Sequence, residues 1–177
     1  MYQVDDRDVV SSLSDAPQSS IGAPLPLVLA TEHHLAVAYL IEVPLPGWDG
    51  SFVEVASYHR EQEPVAIIAF HGVRATSFGP PNDEAFAGHP LAARGLTAYG
   101  AFEVEHSSWI RSLARMNEVH PLHHPSQFAG LRHFVFSFQD SILEVVAREY
   151  AITLTSGPLF ALVPTMVGVV DPRSGAA

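Results

Sequence analysis

A run of six apolar residues at positions 65–70 constrains the fold of this chain most strongly. Pro64 precedes the run, and His71 and Gly72 follow it. The run is short and rich in β-branched side chains, which is typical of a strand buried on both faces. We therefore expect residues 65–70 to form a central strand of a sheet.

Several other stretches have the patterns of strands. Residues 27–30 and 35–41 flank a polar tetrad and predict a β-hairpin. Residues 131–138 alternate with period two, and we expect a second hairpin with residues 142–152. Further strands are predicted at positions 51–58, 101–104 and, as a last edge strand, 163–170.

One helix stands out at about residues 108–119. Trp109, Ile110, Leu113 and Met116 recur at helical spacing and form an apolar stripe. Ser107 or Ser108 is expected to cap its first turn, and we expect the stripe to pack against the phenylalanine face of the second hairpin.

These elements predict an α+β fold with a mostly antiparallel, strongly curved or barrel-like sheet and one main amphipathic helix. A chain of 177 residues with 47% hydrophobic content suffices for one core. We expect residues 1–22 to be a mobile leader without helix or strand, residues 23–170 to be a single globular domain, and residues 171–177 to be a loose tail.

The residue types that are absent exclude several chemistries. The chain has no cysteine, and all nine basic side chains are arginines. Iron–sulfur clusters, thiolate metal sites and a pyridoxal phosphate Schiff base are thereby excluded. A divalent metal held by imidazoles and carboxylates remains open.

The net charge and the hydropathy of the chain limit its possible cellular compartment and its possible binding partners. A net charge of −10 disfavours nucleic acid and anionic lipid, and no apolar run is long enough to span a membrane. The first residues are acidic where a secretory signal would be basic, which favours a cytoplasmic protein. A small-molecule ligand and a homo-oligomer both remain open.

The first two candidate sites follow the predicted central strand. His71 could act as a base and Arg74 could hold an anionic group, although a strand-end imidazole often only bonds to backbone. Asn82, Glu84 and His89 could run acid–base chemistry or bind a metal, although helix capping also explains Asn82 and Glu84.

A third candidate site is a histidine cluster. His120 and His123 are three residues apart and could converge on one metal ion, but prolines interrupt the segment and no strict ligand motif is present. Surface loop histidines are the alternative interpretation.

Carboxylates supply the last candidates. Glu103 lies on a predicted strand and Asp140 lies in a turn. Glu144 lies on a strand that is otherwise apolar, and a buried carboxylate must be paired or have a raised pKa. A salt bridge with Arg132 or Arg148 would be the structural explanation.

Four blocks of sequence, at positions 78–85, 88–91, 99–110 and 132–146, resemble an uncharacterised bacterial family. The resemblance covers about residues 65–147. The family has no assigned activity, so the resemblance implies a coherent domain and no particular chemistry. Its members carry histidine where this chain has Gln139, which implies that a catalytic histidine in that turn is missing here.

Two functional hypotheses follow. The first is a small cytoplasmic enzyme that acts on a small polar molecule by histidine and carboxylate acid–base chemistry, with or without a metal. Its catalytic residues would be His71, Glu84, His89, Asp140 and Glu144, its substrate-binding residues Arg74, Asn82 and Glu103, and its metal ligands His120 and His123. The second is a noncatalytic acidic protein that binds a basic protein partner.

Overall fold

A computed structural model of the chain describes residues 2–42 and 63–171. The strand predicted at positions 51–58 lies outside the described residues. Within them the chain forms two α-helices, α1 (Ser108–Asn117) and α2 (Val163–Val170). The same residues form nine strands: β1 (Val9–Ser12), β2 (Leu27–Ala30), β3 (His34–Leu40), β4 (Pro64–His71), β5 (Ala75–Gly79), β6 (Ala101–Glu105), β7 (Arg132–Ser137), β8 (Ile142–Ala147) and β9 (Glu149–Ser156).

The strands form two antiparallel sheets. One has the order β1-β6-β7-β8-β5, and the other has the order β2-β3-β4-β9. This confirms a mostly antiparallel α+β fold. In the part of the chain that the structure describes, each sheet ends in two edge strands and neither closes, so the prediction of a strongly curved or barrel-like sheet is not confirmed.

The main core lies between the two sheets. As predicted, β4 is an inner strand and its residues 65–70 are buried. Phe70 packs on Phe134 and Phe136 across the interface, with ring centroids 5.6 and 5.7 Å apart. The phenylalanine face of β7 thus packs on the other sheet and not on α1, which corrects the sequence-based expectation. A second sheet offers a wider apolar surface than one helix does, and large aromatic side chains need that area.

The outer face of the four-stranded sheet is covered by α2, where Met166 and Val170 are buried. The edge strand predicted at positions 163–170 is therefore wrong. Pro164 sits in the first turn of α2, where its missing amide hydrogen costs nothing. A valine-rich segment favours a strand only weakly, and the burial of this segment against the sheet outweighs that preference.

The predicted return strand at 142–152 is divided in two. Arg148 separates β8 from β9, and the two strands belong to different sheets. The chain therefore crosses from one layer to the other at this residue, and its amide donates to the His71 carbonyl oxygen at 3.0 Å.

The outer face of the five-stranded sheet carries the polar residues described below. Residues 86–96 and the segment that precedes β1 pack on this face, and α1 contacts it through Trp109, whose ring lies against that of His133. The helix matches the prediction, with Ser107 as its N-cap. The strand β1 pairs with β6, so the expectation that residues 1–22 contain no strand is wrong. The division of the chain into leader, domain and tail stays a prediction.

Candidate functional site

The site is built around Glu144, a buried carboxylate on the outer face of β8 that is 6% exposed. In the register of β7 and β8, Val135 lies opposite Glu144 and His133 lies opposite Val146. Directly paired residues project to the same face of a sheet, so His133 and Glu144 are diagonal neighbours. The hairpin therefore brings an imidazole to the carboxylate.

Within residues 2–42 and 63–171, three side chains contact the Glu144 carboxylate. The Nε2 atom of His133 lies 3.0 Å from Oε2, and the Nε2 atom of His89 lies 3.5 Å from Oε1. The Tyr2 hydroxyl donates a hydrogen bond to Oε2. The arginine partners expected for Glu144 are wrong, because Arg132 pairs with Glu103 instead.

These contacts fix the charge of Glu144. Burial alone would raise the pKa of this carboxyl, but hydrogen bonds from His133 and His89, together with Tyr2, outweigh burial and lower the pKa to about 2. Burial and the adjacent Glu144 carboxylate raise the pKa of Tyr2, so its phenol stays a donor. Glu144 is therefore an ionised acceptor at neutral pH.

An ionised acceptor also fixes the protons on the two imidazoles. Nδ1 of His89 accepts the amide hydrogen of Leu91 at 3.2 Å, so its proton is on Nε2, facing Glu144. His133 likewise carries a proton on Nε2. Its Nδ1 lies 2.9 Å from the Ser107 hydroxyl oxygen.

Ser107 is placed by a strand–turn–helix connection. After β6 ends, His106 takes a positive φ of 52° and turns the chain into α1. Ser107 caps the helix by accepting the Ile110 amide hydrogen at 3.3 Å. The buried Asp8 accepts the Ser108 amide hydrogen at 2.6 Å and ties the segment before β1 to the same turn.

A continuous hydrogen-bonded line results, from the Ser107 hydroxyl through the His133 imidazole to the Glu144 carboxylate. We call it the Ser107–His133–Glu144 line. His133 is fully buried. A carboxylate that holds an imidazole in one tautomer, with a hydroxyl on the other ring nitrogen, activates serine nucleophiles; in the serine-protease triad the carboxylate bonds Nδ1 and the serine bonds Nε2, and here the two nitrogens are exchanged.

Each end of the line borders a cleft. The first, of about 350 Å³, we call the Glu144 cleft. It is lined by Tyr2, Ser77, Trp109, Ser112, Leu113, Met116 and Glu144. The second, of about 460 Å³, we call the Ser107 cleft. Its lining includes Arg7, Glu103, His106, Ser107, Arg111 and Arg132.

The protons on the imidazoles bear on the metal hypothesis. A metal-bound imidazole carries its proton on the nitrogen that faces away from the ion, whereas Nδ1 of His89 accepts a hydrogen bond. Across residues 2–42 and 63–171 no group of three or more metal-ligating side chains could hold an ion. His120 and His123 bond instead to the Leu122 amide and the Asn117 side chain. A metal at these two histidines stays a prediction without support here.

Two predicted catalytic residues, His89 and Glu144, meet in the structure. His71 lies in the four-stranded sheet, where its ring stands 5.6 Å from that of His34. Arg74 is exposed, and its amide donates to the Val146 carbonyl oxygen. Neither side chain has a contact with Glu144 among those described.

The remaining candidates have other surroundings. Asn82 accepts the Ala85 amide hydrogen in a turn, but the short 3-10 helix at Phe86–Gly88 has Ala85 as its N-cap and no side-chain cap, so the helix-capping role that the sequence offered for Asn82 is wrong. Glu84 and Asp140 are exposed. Glu103 forms a two-bond ion pair with Arg132 at 2.5 and 2.8 Å, at the wall of the Ser107 cleft.

Sequence reasoning missed three members of the site. His133 was detectable, because the period of residues 131–138 and the register of a hairpin with Glu144 place both on one face. Ser107 was expected only as a cap. Nothing in the sequence indicated Tyr2 as a site residue, because the residues around it have no hydrophobic period.

No family model matches the chain, and no similar protein was found among the curated proteins or the solved structures. Among the described residues, no helix is both long enough and apolar enough to cross a membrane.

Proposed function

We propose that the chain is a small enzyme that acts on a small polar molecule by acid–base chemistry at Ser107. The observation that carries the proposal is the Ser107–His133–Glu144 line, with contacts of 2.9 and 3.0 Å. His133 is the base, Glu144 orients it and compensates its positive charge, and Ser107 is the nucleophile.

The proposed step is attack on a carbonyl group. The Ser107 oxygen forms a bond to the carbonyl carbon while its proton moves to Nδ1 of His133, and the carbonyl π electrons move to oxygen. Collapse of this intermediate breaks the bond to the leaving group, which takes the proton from His133. Water then repeats the sequence and releases the acid.

The negative charge of this step develops on the carbonyl oxygen of the substrate, next to Ser107. The residue caps α1, so the positive end of the helix dipole faces its oxygen. Arg111 also lines the Ser107 cleft, and its guanidinium donates to the carbonyl oxygen of His106. That guanidinium is also ion-paired with Asp5 at 2.7 Å, so the helix dipole is the feature of these surroundings that would favour developing negative charge.

The lining of the Ser107 cleft supports a polar substrate. It combines the guanidinium groups of Arg7, Arg111 and Arg132 with the carboxylates of Glu103 and Glu105. Groups of both signs at one cleft suit a small molecule with hydrogen-bonding groups better than an apolar one. Glu103 keeps its proposed substrate-binding role here.

The remaining proposals concern the cellular compartment and the family of the protein. A chain without cysteine supports a place in the cytoplasm. The sequence blocks within residues 65–147 support membership of the uncharacterised bacterial family that they resemble.

A fluorophosphonate probe tests the proposal without a known substrate, because it labels activated serines covalently. We expect labelling of the wild type at Ser107, mapped by peptide mass spectrometry. Labelling should be lost in Ser107→Ala and should slow by about a hundredfold or more in His133→Asn and Glu144→Gln.

Ser108→Ala is the matched control, since that hydroxyl is buried beside the cap and has no hydrogen-bond partner among the described residues. It should label like the wild type. Circular dichroism checks that each variant is folded. The proposal would be overturned if the folded wild type were not labelled. It would also be overturned if the Ser107→Ala variant were labelled like the wild type.

A further inference from the structure

We propose that the Glu144 cleft binds a small organic ammonium ion. This cleft lies at the other end of the Ser107–His133–Glu144 line and shares Glu144 with it, but binding of an ammonium ion does not require the chemistry proposed at Ser107. Among the described residues that line it, one side chain, Glu144, is charged at neutral pH. The other lining residues are aromatic, aliphatic or hydroxyl-bearing.

The carboxylate has acceptor capacity on the Oε1 atom. Oε2 accepts from both Tyr2 and His133, whereas the described partner of Oε1 is His89, at the longer distance of 3.5 Å. A carboxylate oxygen can accept two hydrogen bonds. Oε1 can therefore take an N–H donor or lie against a methylated ammonium group.

The aromatic wall adds to this selectivity. Tyr2 and Trp109 stack on each other, with ring centroids 5.3 Å apart and planes 11° apart, and both line the cleft. Electron-rich rings attract cations, and indole does so most strongly. Leu113 and Met116 supply apolar contact for the carbon atoms of the ligand.

The same arrangement disfavours other ligands. An anion would meet the negative charge of Glu144 in a partly desolvated cleft, where repulsion is stronger than in water. A neutral molecule of the same shape would gain the apolar contacts without the charge attraction. The volume of about 350 Å³ is at the small end for ligand sites, so the ligand is small.

The test compares choline with its uncharged isostere 3,3-dimethylbutan-1-ol by isothermal titration calorimetry. We expect choline to bind at millimolar concentrations or below and the isostere to bind at least about tenfold more weakly. Failure of choline to bind at millimolar concentrations, or equal binding of the two molecules, would overturn the proposal.

Substitutions of Met116 sharpen the test without disturbing the fold, because this side chain lines the cleft and is 69% exposed. Met116→Gln serves as the uncharged reference at this position: relative to it, Met116→Lys should weaken choline binding at least about tenfold and Met116→Glu should strengthen it. Choline binding that is the same in the lysine and glutamate variants would contradict binding in this cleft. Fluorophosphonate labelling of Ser107 should persist in all three variants, so the two proposals can fail separately.

Discussion

The two clefts share one helix and yet differ in chemistry. Helical spacing places Trp109, Ser112, Leu113 and Met116 on one side of α1, toward the Glu144 cleft. Ser107, Ile110 and Arg111 belong to another side, toward the Ser107 cleft. The first wall is largely apolar and the second is charged.

The charges of the two clefts also differ in environment. Glu144 is buried and its partners are imidazoles and a phenol, whereas Glu103 and Arg132 are partly exposed to water. Removing water strengthens an interaction between polar groups and raises the cost of leaving one unpaired. The comparison therefore predicts large effects at Glu144 and small effects at the Glu103–Arg132 pair.

The largest effect is expected for Glu144→Ala. It would leave the donors of Tyr2, His89 and His133 without their acceptor, and we expect the free energy of unfolding to fall by about 3–5 kcal/mol. Urea denaturation followed by fluorescence measures the change. Glu84→Ala, at an exposed carboxylate, is the control and should stay within about 0.5 kcal/mol of the wild type.

Lowering the pH should remove the contribution of Glu144 to the stability of the folded protein. The pKa of Glu144 is lowered from 4.5 to about 2 in the folded protein, so its contribution is complete above the unfolded value and is lost as the pH falls through the folded value. The stability difference between the wild type and Glu144→Gln should shrink by about 3 kcal/mol between about pH 4.5 and pH 2.

Denaturation curves of both proteins across that range measure this difference. A difference that does not vary with pH would show that the folded protein does not hold Glu144 in its ionised form more strongly than the unfolded chain does.

A smaller effect is expected at the cap of α1. Ser107→Ala removes the acceptor of the Ile110 amide and the hydroxyl beside His133, and should cost about 1–2 kcal/mol in the free energy of unfolding. Ser108→Ala should cost less, since its hydroxyl has no hydrogen-bond partner within the described residues. Equal losses in thermal or urea denaturation would contradict the assignment of Ser107 as the N-cap.

The smallest effect is expected at the charged wall of the Ser107 cleft. Arg132→Gln breaks the ion pair with Glu103, but both side chains are partly exposed, so the loss of stability should be at most about 1 kcal/mol. It should shrink further at high salt. A loss as large as that of Glu144→Ala would remove the contrast between the two clefts.

The sequence predicted the strands with strong local patterns. The apolar run at 65–70, the first hairpin and α1 are all found. The sequence could not predict which layers of the fold pack on each other, because an aromatic strand face can pack on a helix or on a second sheet. The segment at 163–170 shows the same limit, since its burial against the sheet decides between helix and strand.

Part of the site was predicted, and the rest was missed for a similar reason. Glu144 was conspicuous as a carboxylate among apolar neighbours, and His89 contacts it from a loop. Tyr2 and His89 reach Glu144 only through tertiary packing, which no local period reports. The expected arginine partner was wrong because Arg132 projects toward the inner face of β7, as its contact with Phe134 shows.

The most direct test of the Ser107–His133–Glu144 line is the tautomer of its central imidazole. Long-range proton–nitrogen NMR spectra of the folded protein, assigned with His133→Asn, distinguish a protonated from an unprotonated ring nitrogen. We predict a proton on Nε2 of His133, as an ionised Glu144 requires. A neutral ring with its proton on Nδ1 and an unprotonated Nε2 would contradict the line and the activation of Ser107 that depends on it.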